Sequence, residues 1–169
     1  MFAAKAIDFS NKPDAYRELD TSLRALLDGE RDPIANLANT ASFIFQALPD
    51  VNWAGFYRLA GNTLMLGPFH GKPACVRIPV GKGVCGMAAD RRQTVLVKNV
   101  REFPGHIACD AASASEIVVP MIKEGVLLGV LDLDSPRLNR FDAEDQAGLE
   151  RLAATMLAAT DWDTIARIL

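Results

Sequence analysis

Three cysteines, Cys75, Cys85 and Cys109, are the side chains best suited to chemistry in this chain of 169 residues. None belongs to a C-x-x-C pair, and an odd count fits poorly with a static disulfide framework. Each sits beside glycine or alanine in a turn-rich stretch: Pro-Ala-Cys75, Gly-Val-Cys85-Gly and His-Ile-Ala-Cys109-Asp. Reactive thiols need such places, where solvent enters and backbone moves. Cys85 is also expected in the first turn of a helix, where the dipole lowers a thiol pKa. The pattern points to redox chemistry.

The carboxylates come next. Asp132 and Asp134 are two apart on a predicted strand and share one face, while Leu131 and Leu133 take the other. A three-residue turn, Lys123 to Gly125, would pair Ile122 with Val126 and Glu116 with Asp132. Glu116, Asp132 and Asp134 would then lie together. A two-residue turn would shift the pairing by one and send Glu116 to the other face. The competing reading is an ordinary solvated polar face. Against it, these acids interrupt a strongly apolar stretch, so crowding and lost hydration would keep at least one protonated near neutral pH. A protonated carboxyl can act as a general acid.

Trp53, Gly55 and Tyr57 alternate and share a face. Two aromatics flanking a glycine would leave a slot for a small apolar group or a cation; plain core packing is the competing reading. Gly81, Gly83 and Gly86 match G-x-G-x-x-G, but hairpins precede them where a dinucleotide site needs a βαβ unit. They read as a tight turn into a helix. His106, Cys109, Cys75 and Cys85 could form a zinc set, yet paired knuckles are missing and no metal is expected. His106 would otherwise be a loop residue beside Cys109.

The elements that position these groups are legible in outline. Tyr16, Leu19, Leu23 and Leu26 recur at helical spacing, with Gly29 as a stop. Asp32 and Pro33 open a second helix carrying Ile34, Leu37, Ala41, Phe45 and Leu48. Strands are predicted over 51–59, 63–66, 75–80, 94–97, 116–122 and 126–134, and a short helix over 84–91. Residues 100–113 read as a long functional loop. Asp142 caps a last helix bearing Leu149, Leu152, Met156 and Leu157. Helices at both ends around an antiparallel sheet make an α+β architecture. The net charge of −3 argues against a nucleic-acid partner. Apolar runs such as 126–131 are too short to span a membrane. The start is broken by charge too early for a signal peptide, so a cytoplasmic location is expected.

Six segments then follow in a familiar order: 51–57 (VNWAGFY), 66–75 (LGPFHGKPAC), 81–86 (GKGVCG), 103–110 (FPGHIACD), 115–120 (SEIVVP) and 129–135 (GVLDLDS). Over about residues 15–159 the chain resembles the free methionine-(R)-sulfoxide reductases, stand-alone GAF domains. His70 departs from the family's glutamine. The resemblance implies one GAF domain over residues 1–169, with a six-stranded antiparallel sheet, N- and C-terminal helices packed on one side, and a homodimer. It implies Cys109 as catalytic cysteine, Cys75 as its resolving partner and Cys85 as auxiliary. It implies that Glu116, Asp132 and Asp134 polarise the sulfoxide or hold the amino acid, and that Trp53 and Tyr57 line the S-methyl pocket. No bound cofactor is implied; electrons would come from NADPH through thioredoxin reductase and thioredoxin. A sensor GAF domain that binds a small molecule without turnover is the alternative.

Overall fold

The computed structural model of the protein describes residues 7–107 and 110–164. Its elements are α1 (Lys12–Leu26), α2 (Pro33–Ala47), β1 (Trp53–Ala60), β2 (Thr63–Gly71), β3 (Arg77–Pro79), α3 (Gly83–Arg91), β4 (Val95–Val97), β5 (Ser115–Lys123), β6 (Val126–Ser135) and α4 (Ala143–Ala159). A 3-10 turn, Val100–Glu102, lies in the long loop.

The helix starts follow from side-chain caps. The Asp32 carboxylate accepts from the Ala35 N–H at 2.8 Å, with Pro33 as the first helical residue, as expected. Asp142 and Asp145 form a reciprocal capping box on α4. Asp145 is fully buried and does more than cap. It accepts from the Tyr16 hydroxyl at 2.8 Å, Lys12 Nζ at 2.6 Å and Arg140 Nη1 at 3.2 Å. One carboxylate therefore ties α1 to α4.

The six strands form one antiparallel sheet in the order β3-β2-β1-β6-β5-β4. Alternation divides its faces. Ala54, Phe56, Ile117, Leu131 and Leu133 face a core filled from α1, α2 and α4 by Leu19, Leu23, Ile44, Leu149 and Met156. Trp53, Tyr57, Val118 and Val130 face the other way, beneath Val84, Cys85 and Ala88 of α3. The terminal helices thus share one side, and α3 alone covers part of the other.

Two elements differ from expectation. β2 runs on to Gly71, past Leu66. Its outer edge is paired to β3 only from Thr63 to Met65, so Pro68 falls where no ladder N–H is needed. The segment from Cys75 is a strand only over Arg77–Pro79, which leaves Cys75 in the connection that precedes it.

The β5–β6 hairpin corrects the predicted register. Its turn has two residues, Glu124 (φ 51°) and Gly125 (φ 79°), so Lys123 pairs with Val126. That shift alone would turn Glu116 to the helical face. A bulge restores it: Ile122 pairs with Leu127 but Met121 pairs with Gly129, leaving Leu128 as an extra residue on β6. Glu116 consequently lies opposite Asp134, not Asp132, and Val118 lies opposite Asp132. The three acids still share a face.

Candidate active site

A cleft opens on the α3 side of the sheet, walled by Trp53 and Tyr57 of β1, Cys85 of α3, Glu116 of β5, and Asp132 and Asp134 of β6. His106, Ile107 and Ser113 of the long loop and Lys72 of the β2–β3 connection close its rim. Backbone pairing fixes the floor: β6 sets Asp132 beside Gly55 and Asp134 beside Trp53 on β1.

Glu116 and Asp132 are each 6% exposed. Burial, followed by the charge of Asp134, pushes the Glu116 carboxyl well above its ordinary range. Burial, then Glu116 and Asp134, pushes Asp132 up likewise. Asp134 is raised to about 6, chiefly by burial, against a hydrogen bond from Ser113 that lowers it. Three acids this close cannot all ionise near neutral pH, and they titrate as a set. Glu116 and Asp132 share a hydrogen bond within the set. His106 Nε2 approaches Glu116 Oε2 at 3.5 Å. Burial lowers the His106 pKa, so the imidazole is neutral there.

Cys85 overturns its expectation. It occupies the first turn of α3 but is only 4% exposed. Burial, then the acids Asp132 and Glu116, push its thiol well above the usual value. Desolvation and three nearby acids outweigh one helix dipole of half a charge. Cys85 is a buried thiol hydrogen-bonded to Asp132, not an exposed nucleophile. Cys75 is half-buried in the connection before β3 and packs against the cluster under α3. Cys109 lies outside the described residues.

The aromatic wall differs from the predicted slot. The Trp53 ring stacks between Tyr57 (5.9 Å, 25° between planes) and Phe69 (5.4 Å, 13°). A Cβ on Gly55 would lie 2.6 Å from the edge of the indole and 2.3 Å from Phe69 Cβ. Gly55 is therefore covered by Trp53 itself, and what faces the cleft is a stacked wall. The glycine motif has a similar cause. Gly83 has φ +61° under Ile107, and a Cβ on Gly86 would meet the Pro79 carbonyl at 2.4 Å. These are demands of a strand-to-helix turn, and the preceding β3 is antiparallel to its neighbour.

Sequence reasoning missed the residues that hold the loop. Asp110 accepts from Lys72 Nζ at 3.2 Å, from the Ala112 N–H at 2.9 Å and from Asn52 Nδ2 at 3.4 Å. Asn52 also donates to the Ser113 hydroxyl, and the Trp53 indole N–H donates to the Lys72 carbonyl at 3.1 Å. The loop end, the aromatic wall and Asp134 are thereby linked. No periodicity marks these residues; the signal that could have found Asn52, Lys72 and Asp110 is their place inside the segments 51–57, 66–75 and 103–110. His70 lies on the other face of the sheet from the acids, stacked on Phe45 of α2 at 4.8 Å, away from the cleft.

A six-stranded antiparallel sheet with terminal helices on one face and a capped cleft on the other is the architecture of a GAF domain, and residues 34–161 match that family (GAF_2). Free methionine-R-sulfoxide reductase of Escherichia coli K12 is 51% identical over 155 residues, covering 90% of this chain and 94% of that one. The enzyme of the same name from Saccharomyces cerevisiae is 46% identical over 151 residues, covering 85% and 84%. The X-ray structure of free methionine-R-sulfoxide reductase from Neisseria meningitidis, in complex with its substrate, superposes with a TM-score of 0.90 at 39% identity over the whole of both chains. The chain belongs to the GAF family and, within it, to the free methionine-R-sulfoxide reductases.

Proposed function

We propose that this protein reduces free methionine-(R)-sulfoxide to methionine with electrons from thiols. The observation that carries the reading is the set of buried Glu116 and Asp132 with half-buried Asp134 on one face beside Trp53 and Tyr57. Sulfoxide reduction needs a proton where the S–O bond breaks, and a raised carboxyl retains one at neutral pH. The aromatic wall suits the S-methyl group. The relatives named above support the substrate class.

In the proposed reaction, the Cys109 thiolate attacks the sulfoxide sulfur while Glu116 or Asp134 protonates the departing oxygen. The hydroxyl passes to the Cys109 sulfur as the S–O bond and the transient bond between the two sulfurs break, so that methionine leaves and Cys109 is a sulfenic acid. The Cys75 thiol attacks that sulfur, releasing water and forming a disulfide. An external dithiol, which we take to be thioredoxin recharged from NADPH through thioredoxin reductase, reduces it by exchange. The Cys109 and Cys75 Cα atoms must come within ~7 Å for this step, so the 100–113 loop closes on oxidation and moves on reduction. The roles of the two cysteines rest on the sequence resemblance.

No helix among the described residues is long and apolar enough to cross a membrane. We infer a cytoplasmic enzyme of one GAF domain, acting as a homodimer. The test is direct. Reduced protein with dithiothreitol is given the separate R and S isomers of free methionine sulfoxide, and methionine is measured. Methionine from the R isomer is expected; binding of that isomer without turnover points to a sensor.

A further inference from the structure

The same acids carry a second consequence. Cys85 Sγ and one carboxylate oxygen each of Glu116 and Asp132 all lie within 4.8 Å of one another, and all three residues are buried. The Asp132 Oδ1 atom is buried with no hydrogen-bond partner. Asp132 is 6% exposed and is one of the residues that line the cleft. An unsatisfied buried acceptor is destabilising, and a bound cation would supply the partner it lacks. No cationic side chain among the described residues forms an ion pair with Asp132; the basic group at this end of the cleft is the neutral His106, 3.5 Å from Glu116.

We propose that Cys85, Glu116 and Asp132 bind one divalent metal ion of borderline softness, with Zn2+ as the type case and His106 as a fourth ligand at the mouth. One sulfur, one imidazole and two carboxylate oxygens are all ordinary zinc donors. Bonds of about 2.0–2.3 Å place tetrahedral donors roughly 3.5 Å apart, a spacing within the 4.8 Å that bounds the separations of these three donors. Two carboxylates and one thiolate surround a doubly charged ion, which favours thiophilic cations over Mg2+ or Ca2+. The donors differ from those suggested by cysteine and histidine spacing, since only Cys85 and His106 are common to both sets. Bound metal fills the floor of the cleft and occupies the oxygens that would otherwise serve the sulfoxide. Its effect on catalysis is inhibition competitive with substrate, a consequence that rests on the proposed function; metal binding itself does not.

The test uses reduced protein in which Cys75 and Cys109 are both serine, leaving Cys85 as the sole thiol. Co2+ titration is expected to give one equivalent of binding with a thiolate-to-cobalt absorption band, displaced by Zn2+. The band should vanish with Cys85→Ser added. Asp132→Asn should weaken binding by more than the ~10–100-fold typical of losing an outer-shell partner. No thiolate band, or equal affinity in the Asp132→Asn protein, overturns the site. The wild-type protein separates the two readings. Sulfoxide turnover that Zn2+ leaves untouched overturns the inhibition and spares the reductase assignment. One-equivalent metal binding without turnover of the R isomer overturns the assignment and spares the site.

Discussion

Glu116 stands directly opposite Asp134 across the β5–β6 ladder, with Asp132 two residues along the same face. Like charges so placed destabilise a sheet, and here two of the acids are also buried. The arrangement therefore opposes folding wherever the acids ionise.

That opposition has a pH signature. The folded protein holds protons on Asp134 up to about pH 6, and on Glu116 and Asp132 well above their ordinary values. The unfolded chain releases them near pH 4. The native state binds more protons, so stability is fully present below about pH 4 and is lost as pH rises through the folded values. Asp132→Asn removes one of these charges. Its Tm relative to wild type should rise from pH 5 to pH 8 in thermal melts. Parallel Tm profiles would show that the cluster is not strained by charge.

The proton-donor role makes a kinetic prediction. Glu116→Gln keeps the shape of the side chain and removes its acidic proton. In single turnover with free methionine-(R)-sulfoxide, formation of sulfenic acid should slow by about 10²–10⁴-fold. The wild-type rate should fall as pH rises through the raised carboxyl pKa values, because the acid form is the reactive one. An unchanged rate in the Gln variant removes Glu116 from this role.

Local rules made much of this site legible. Asp32 before Pro33 and Asp142 before a helical stripe are capping signals that depend on neighbours in sequence alone. The two-residue spacing of Asp132 and Asp134 set their common face. The partner of Glu116 was not legible, because it depends on a turn and a bulge acting together. One trace of the bulge existed: Gly129 interrupts an apolar strand, and its neighbour Leu128 is the unpaired residue. The burial of Cys85 was also hidden. Glycine and alanine flank it in sequence, but α3 presses it onto the sheet beside Asp132, a tertiary contact that no local pattern encodes.

Gly55 supports the aromatic wall by having no side chain. In Gly55→Ala the new methyl would strike both Phe69 Cβ and the indole of Trp53. Overpacking of this kind costs about 1–3 kcal/mol. The expected outcome is a lower Tm together with a higher KM, since Trp53 must tilt out of its stack. A stability loss with KM unchanged would mean that the indole wall does not contact substrate.

Asp145 offers a stability test remote from the cleft. It joins Tyr16 and Lys12 of α1 to Arg140 and the start of α4. Asp145→Asn leaves Lys12 and the largely buried Arg140 without their shared carboxylate. Breaking a buried pair from one side costs about 3–5 kcal/mol. Denaturant melts should show that loss, while KM of the protein that remains folded at low temperature stays close to wild type. A loss below about 1 kcal/mol, the scale of exposed pairs, would mean that solvent already screens the network.

The three thiols should separate by stoichiometry. Without external reductant, wild-type protein can form one methionine per chain and stop as a disulfide. Cys75→Ser should also release one methionine, then accumulate sulfenic acid that a dimedone-type probe traps; with dithiothreitol, small thiols reach that group and partial turnover continues. Cys109→Ser should form no methionine under either condition. Cys85→Ser should still give one equivalent, because a buried thiol with a strongly raised pKa supplies little thiolate. Methionine formation by Cys109→Ser, or its loss in Cys85→Ser with the fold intact by circular dichroism, would reassign the attacking sulfur.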